Sequence, residues 1–373
     1  MITTNSVQGG VGGAGGNNRS LNLPAAPGGP GGDGLGGAVF SGGLGLSEFV
    51  RCTLLGNTAE GGLGGIGGGP GSGGSNRGGG PGGAGGAGGG AALFTSASAT
   101  LENVTLAGNR AGGGSGGAGR GGSPSGPGGA GGAASGGALG GSLILRSCTV
   151  SDNFASGSLG GTGNVAGVSG PAVGGINATN LDVLNTIIAG NTGSASSPDI
   201  AGAVSSQGWN LIGITDGSSG WTTNDFLGNS TFPLPALLSP CQDNGGPVWT
   251  MGPLANSPAR DKGRSGLATD ARGGIRIVDF PNVANAPGGD GSDIGALEVD
   301  SLFRILSITK SNTFARVRFK SDPGNTYTLQ QTSVVTNRTW TNLVGTLTGT
   351  GQELEATDNG PLPPWRFYRV RSN

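Results

Sequence analysis

The stretch Leu54-Leu55-Gly56-Asn57-Thr58-Ala59 decides the fold, because its pattern of apolar, small and amide side chains returns along the chain. Successive copies lie roughly 40 to 50 residues apart, the spacing of a solenoid, in which each unit buries its apolar face only against its neighbours. The other copies are Leu106-Ala107-Gly108-Asn109-Arg110-Ala111, Val150-Ser151-Asp152-Asn153-Phe154-Ala155, Ile188-Ala189-Gly190-Asn191-Thr192-Gly193 and a fainter Ile2-Thr3-Thr4-Asn5-Ser6.

Composition narrows the class of protein. The chain has 373 residues, of which 87 are Gly and 21 are Pro, a content usual for disordered chains. Apolar residues nevertheless recur in register, which a disordered chain has no reason to keep. The net charge of −1 predicts no nucleic-acid partner and no anionic membrane surface, and no apolar stretch is long enough to span a bilayer. The chain opens inside a repeat without a signal peptide, so we expect a processed form or a fragment of an exported precursor.

Aligning the copies on their Asn predicts the backbone path. The residues eight, five and three positions before each Asn are apolar or small, and the phase changes between the first two of these positions. This pattern indicates two short strands joined by a bend, with like residues stacked above like, as in a parallel β-helix. Cys52 and Cys148 occupy the same position two repeats apart, about 10 Å from each other, which is too far for a disulfide.

The repeated Asn has two interpretations. The side chains could form a polar ladder that is open to a ligand. They could instead form a structural ladder, in which each Asn bonds the turn of the next repeat from an αL or bridge conformation, and we favour this second interpretation. The predicted ladder consists of Asn57, Asn109, Asn153 and Asn191.

Long glycine-rich excursions separate the repeats, at about residues 9–36, 60–90, 112–136 and 157–174. Each leaves at the same corner, so they project from one side of the solenoid. Three structures are possible: solvated flexible loops, flat turns that continue the solenoid, or extended helices of polyproline II type packed against one another. Order would require dense hydrogen bonding, because ordering glycine costs more entropy than ordering any other residue.

The sequence from about Ser239 to Glu298 carries a set of short motifs, among them Asp270-Ala271-Arg272-Gly273-Gly274 and Asp293-Ile294-Gly295-Ala296-Leu297-Glu298. This ordered set closely resembles the choice-of-anchor Q family of exported bacterial proteins. The upstream repeats also resemble those of polymorphic outer-membrane proteins and related adhesins. The resemblance implies a right-handed parallel β-helix closed by a C-terminal cap. In the cap we expect paired structural charges at Asp270, Arg272, Arg276, Asp293 and Glu298.

The last 70 or so residues predict a separate small β-sandwich, with strands at 304–309, 314–319, 326–331, 343–346 and 366–371. Turns are expected at 322–325 and 359–361. The phrases Gly324-Asn325-Thr326-Tyr327 and Arg366-Phe367-Tyr368 resemble a module on exported proteins of Verrucomicrobia and Planctomycetes, which implies sorting, anchoring or accessory binding. Three aromatic residues could stack on a sugar, although core packing is the favoured use: Tyr327, Trp340 and Trp365.

No arrangement of residues predicts an active site. The acidic residues of the repeats lie at different registers and the chain has no His, so neither a stacked carboxylate cluster nor the commonest general base is available. The segment Gly288-Gly289-Asp290-Gly291-Ser292-Asp293 faintly resembles a calcium-binding nonapeptide, but it is a single copy. We therefore predict no catalytic residues, no metal and no cofactor.

These observations predict an all-β chain with three parts: repeats over 1–237, a cap over 238–300 and a β-sandwich over 301–373. The predicted function is that of a non-enzymatic, secreted or cell-surface structural or adhesive protein. It could assemble into a filament or surface layer through open strand edges and glycine-rich faces. The alternative is an adhesin that binds polysaccharide through its C-terminal domain, and a polysaccharide lyase or hydrolase or an ice-binding protein is less favoured.

Overall fold

The computed structural model describes residues 1–17, 25–43, 45–71, 77–193, 198–280, 283–300, 304–321, 326–334, 336, 339–343, 345–350, 353–359, 362–363 and 365–372. The described chain is all-β and divides into two compact units, Met1–Glu298 and Val299–Asn373. The first unit is built from four parallel sheets, named A to D here, to which the repeats contribute strands in turn.

Sheet A has seven strands, at Ile2–Thr3, Thr53–Leu55, Thr105–Ala107, Thr149–Ser151, Ile187–Ile188, Leu211–Ile212 and Phe226–Leu227. Sheet B has four, at Ser6–Gln8, Thr58–Glu60, Arg110–Gly112 and Phe154–Ser156. Sheet C has four, at Gly34–Leu35, Gly88–Gly89, Ala134–Ser135 and Ala172–Val173. Sheet D has seven strands, at Val39–Ser41, Leu46–Val50, Leu93–Glu102, Leu139–Arg146, Ile176–Leu184, Ile200–Ser206 and Ser218–Ser219.

The register agrees with the alignment of the copies. Leu106 pairs with Leu54 on one side and with Val150 on the other, so residues three positions before each Asn lie one above another. Leu101, Leu145 and Val183 pair in the same way in sheet D. The apolar core therefore consists of columns of like side chains, all within one buried cluster.

Two tight corners separate the strands of each repeat. One lies between sheets D and A, where a single residue has a positive φ, for example Asn103 at 53° and Asn185 at 53°. This is the bend predicted from the phase change. The other lies between sheets A and B, where the residue before the ladder Asn has the positive φ, as in Gly108 at 62°. Of the αL and bridge conformations expected for the Asn, αL is thus taken by the residue before it, which is Gly in three of the four ladder repeats and Asp152 in the fourth.

The glycine excursions run out from sheet B and back to sheet C. Their outgoing segments (9–16, 61–68, 113–120 and 157–162) and returning segments (26–33, 79–87, 126–133 and 165–171) form what we call the glycine bundle. Every third amide bonds the same segment of the next repeat: Gly12 N donates to Leu63 O and Gly64 N to Ser115 O, both at 2.8 Å. A period of three residues is that of a polyproline II helix.

A second set of bonds joins the outgoing segments to the returning segments. Gly65 N donates to Gly29 O, Gly83 N to Gly65 O, and Gly117 N to Gly83 O, each at 2.8 Å. The bundle is thus two hydrogen-bonded layers, one of outgoing and one of returning segments. Of the three structures considered for the excursions, these bonds match packed helices of polyproline II type.

Most glycines of the bundle are required by close approach, although Gly10 and Gly13 in the first row face open space. A Cβ on Gly117 would lie 2.0 Å from Gly65 O, and one on Gly65 would lie 2.0 Å from Gly13 O. The third residue of each triplet faces outwards and is free to be Ala, Leu or Pro. This explains the Gly-Gly-X pattern of the excursions.

The segment from Trp249 to Glu298 does not end the stack as a cap. It lies along one side, at the corner between sheets D and A, and bonds four successive repeats. Thr53 Oγ1 donates to Trp249 O, Asn103 Nδ2 to Thr269 O, Ala296 N to Thr149 Oγ1, and Asn185 Nδ2 to Asp293 O. We call this segment the strap.

The second unit contains two antiparallel sheets. One has strands at Arg304–Lys310, Phe314–Lys320 and Glu353–Asn359, and the other at Thr326–Thr332, Thr341–Asn342, Leu347–Thr348 and Phe367–Ser372. A shared apolar cluster includes Val317, Phe319, Tyr327 and Leu329. The predicted strand at 343–346 is absent at its described residues 343, 345 and 346, where short strands flank the segment instead, and residue 344 lies outside the described residues. The strand Glu353–Asn359 was missed. The turn at 322–325 and the last two residues of the turn at 359–361 lie outside the described residues.

Candidate functional site

The four predicted Asn residues are buried and bond one another in a line. Asn109 is typical: its Nδ2 donates to Asn153 Oδ1 at 2.9 Å and to Leu54 O at 3.0 Å, and its Oδ1 accepts from Asn57 N and Nδ2 at 3.0 and 2.8 Å. Each amide therefore satisfies backbone groups at the corner of the neighbouring repeat. The line therefore has no exposed amide between Asn57 and Asn191 to offer to a ligand, as the structural interpretation expects.

The line runs in one direction and ends on a residue that sequence reasoning missed. Asn191 N and Nδ2 both donate to Asp199 Oδ1 at 2.9 Å, and Ile214 N donates to Asp199 Oδ2 at 2.8 Å. A final rung needs only acceptors, which a carboxylate supplies. Asp225 plays the same part for Asn210, whose N and Nδ2 donate to Asp225 Oδ1. Neither Asp stands at a ladder position of the repeat, so alignment of the copies gives no signal for it.

The five predicted charges of the strap come together, although not as isolated pairs. Arg272 Nε donates to Asp270 Oδ2 at 2.8 Å, and its guanidinium also reaches Glu298 O at 2.6 Å. Arg276 lies 3.6 Å from the Glu298 carboxylate, with both side chains fully buried. The Arg276 guanidinium also donates to Asn103 Oδ1 at 2.8 Å, which ties the strap to the repeats.

Burial changes the protonation of this cluster. It raises the pKa of Glu298 to about 7, and the neighbouring Asp293 carboxylate adds to the rise. In the strap, burial likewise raises the pKa of Asp261 to about 6 and lowers the pKa of Arg276. At the end of the Asn line, burial raises the pKa of Asp199 to about 6. Each of these carboxyl groups holds its proton more tightly in the folded chain than in the unfolded chain, where the pKa is about 4.

We therefore expect the free energy of unfolding to fall between about pH 4 and pH 7. The stabilisation from these carboxyl groups is complete below about pH 4 and is lost as the pH rises through 6 to 7, by at most about 1.4 kcal/mol per pH unit for each proton. Denaturant unfolding at several pH values measures this slope. In Glu298→Gln the slope should be shallower than in the wild type, and an unchanged slope would show that Glu298 does not titrate in this range.

The calcium-like segment is occupied with internal bonds. Asp290 Oδ1 accepts from Ser292 N and Oγ, and Asp293 Oδ1 accepts from Asp261 N at 2.8 Å. Within the described part of the chain, no group of three or more acidic, Cys or His side chains is arranged to hold a metal ion. The described cysteines, Cys52, Cys148 and Cys241, are free thiols.

The glycine bundle carries two exposed faces, which we take as the candidate functional surface. The outgoing face is formed by the third residues of the outgoing triplets, and its large side chains are well exposed: Leu63 is 51% and Leu159 73% accessible. Its residues are Val11, Ala14, Leu63, Ile66, Ser115, Ala118, Leu159 and Thr162. None of them is charged.

The returning face lies on the other layer and is made of smaller residues. They are Pro27, Pro30, Asp33, Pro81, Ala84, Ala87, Pro127, Ala130, Ala133, Val165, Val168 and Pro171. The single charge, on Asp33, accepts a hydrogen bond from Ala87 N at 2.7 Å. Sequence reasoning identified a glycine-rich face but not that its exposed surface is apolar on both sides, because the role of the third residue depends on how the segments pack.

The three aromatic residues proposed for sugar stacking do not form one platform. Tyr327 is completely buried and packs on Phe319, with 5.3 Å between the ring centroids. Trp340 is half-buried, and the Arg369 guanidinium covers its ring at 4.4 Å. Only Trp365, at 77% exposure, offers an open ring face among these three.

Among the described residues, no helix is long and apolar enough to cross a membrane. Comparisons of the chain with protein-family models, with curated proteins and with solved structures find no match.

Proposed function

We propose that this chain is a non-enzymatic structural or adhesive protein of the cell surface or extracellular space, built as a right-handed parallel β-helix. The observation that carries the proposal is the glycine bundle, a rigid two-layer slab with an apolar face on either side and a single charged residue, Asp33, on the returning face. Exposed apolar patches of this size are unusual on monomeric proteins and are typical of interaction surfaces. The resemblance to exported β-helix proteins supports the location.

Rigidity is what suits the slab to this role. Each internal segment bonds neighbours in its own layer and in the opposite layer, so a face keeps its spacing without a ligand to order it. A preorganised surface loses little conformational entropy when it binds. The mechanism we propose is therefore geometric, with apolar side chains held at fixed intervals.

Immunogold labelling of intact cells of the native host tests the location and the exposure together. We expect antibodies raised against the full chain to label intact cells as strongly as permeabilised cells, or to label extracellular material. Labelling only after permeabilisation would contradict the proposal.

A carbohydrate-binding adhesin is the second candidate, favoured by the open ring of Trp365. Retention of the full chain on a panel of insoluble polysaccharides separates the two candidates. Under the structural proposal, Trp365→Ala and the wild type are retained equally. A loss of binding in Trp365→Ala, with Trp340→Ala as the matched control whose ring is already covered, would favour the adhesin.

A further inference from the structure

We propose that copies of this chain stack laterally, with the outgoing face of one copy packed against the returning face of the next. The inference rests on the proposed function, since it names the partner of the same surface: a second copy of this chain. Three properties of the two faces support it, namely their spacing, their relief and their charge.

The two faces share one lattice. Rows of the bundle follow one another at the spacing of hydrogen-bonded strands, about 5 Å. Along a row, exposed residues recur every three residues, about 9.3 Å at the polyproline II rise. Because hydrogen bonds tie each outgoing segment to a returning segment, as Gly83 N to Gly65 O at 2.8 Å, the rows on both faces keep the same period. A copy translated across the slab therefore meets a matching set of rows.

The faces are complementary in relief. The outgoing face carries the bulky aliphatic side chains Leu63, Ile66 and Leu159, which project from a glycine surface. In the second and third rows, the central column of the returning face carries Ala84 and Ala130, which leave room for Leu63 and Ile66. In the fourth row, to which Leu159 belongs, the same column carries the larger Val168. Large side chains on one face can thus enter small-residue positions on the other, whereas two outgoing faces would bring bulky side chains against each other.

The near absence of charge favours the same contact. The outgoing face has no charged residue and the returning face has one, Asp33, whose carboxylate already accepts a hydrogen bond. The four outgoing segments, six to eight residues long, cover roughly 400 Å², so one contact buries roughly 800 Å² in total, the size of a weak interface. Since the two faces lie on opposite sides of one slab, the contact leaves both outer faces free and repeats without closing.

Sedimentation velocity of the full chain over a range of concentrations tests the stacking. We expect wild type to form a ladder of oligomers, and single variants Leu63→Lys on the outgoing face or Val168→Lys on the returning face to raise the concentration needed by about tenfold or more. Leu46→Lys replaces an aliphatic residue on sheet D that is as exposed as Val168 and more exposed than Leu63, and as the control it should behave as wild type. Thermal unfolding of each variant shows whether it folds. If Leu63→Lys does not fold, Ile66→Lys is used in its place.

Mixing the two variants decides the pairing. Each variant keeps one intact face, so an equimolar mixture of Leu63→Lys and Val168→Lys should form dimers and nothing larger. If Val168→Lys assembles like the wild type, or the wild type stays monomeric at every concentration, stacking through opposite faces is overturned. The immunogold labelling of native cells tests the proposed function and does not depend on stacking, so the two proposals can fail independently.

Discussion

Replacing Gly117 by Ala should lower the free energy of unfolding of the first unit by about 3 kcal/mol or more. The new Cβ would lie 2.0 Å from the carbonyl oxygen of Gly65 and 2.6 Å from its carbonyl carbon. Both atoms belong to Gly65, whose N donates to Gly29 O and whose O accepts from Gly83 N, so they cannot move without breaking bonds of the bundle. Denaturant unfolding of the full chain measures the loss.

The matched control is Gly13→Ala. Gly13 occupies the same position of its outgoing segment as Gly65 and Gly117 do in theirs, but a Cβ there meets nothing within 4 Å. Ala restricts the unfolded chain more than Gly does, and here it causes no clash in the folded chain. The free energy of unfolding should therefore stay unchanged or rise by up to about 1 kcal/mol. Equal effects of the two substitutions would mean that the segments are not packed as described.

The second large effect is expected from Asn109→Ala, which removes the central amide of the Asn line. The substitution removes the Oδ1 acceptor of Asn57 N and Nδ2 and the Nδ2 donor to Leu54 O and Asn153 Oδ1, of which Asn153 Oδ1 keeps its bond from Asn109 N. A buried polar group without a partner costs about 1–3 kcal/mol, so the summed loss should be about 3 kcal/mol or more. Thermal or denaturant unfolding measures it.

Asn164→Ala serves as the control for this substitution. Asn164 is exposed, and its side chain bonds only the adjacent Val165 N in the described structure, so we expect a change of no more than about 0.5 kcal/mol. A small effect at both sites would contradict the structural interpretation of the line and return attention to a ligand-binding one.

The repeats could be predicted from sequence because their signal is periodic and local. Aligning the copies on Asn placed Leu54, Leu106 and Val150 in one buried column, and the phase change placed the corner near Asn103. In a stack of parallel strands the same contacts recur in every repeat, so each copy of the sequence pattern gives independent support for the same alignment. The ends of the line carry no such redundancy, which is why Asp199 was missed.

The state of the excursions could not be decided from the sequence. Glycine-rich composition is compatible with a disordered loop and with a packed bundle, and the difference lies in bonds between segments far apart in the chain, such as Gly12 N to Leu63 O. The Gly-Gly-X triplets were a usable signal, since only the third residue of each is free to vary. The three-residue period of the excursions, combined with the stacking of the repeats, would have predicted the outgoing and returning faces of the bundle.

The strap was misplaced for a similar reason. Its position after the last repeat suggested a cap, and nothing local in its sequence indicates that Arg276 bonds Asn103, 173 residues earlier. Polar residues at the corners, such as Asn103 and Asn185, supply the donors and acceptors that hold it along the side. Contacts of this kind form only once the repeats are stacked, so neither the sequence of the strap nor that of a single repeat indicates them.

Hydrogen exchange resolved to single residues across the excursions tests the central claim most directly. The two-layer bundle predicts protection with a period of three: the two glycine amides of each triplet, such as Gly64 and Gly65, exchange slowly because both donate hydrogen bonds, whereas the exposed third amide, as at Ile66, exchanges fast. Uniformly fast exchange over residues 61–68 and 113–120 would contradict the bundle and, with it, the two apolar faces.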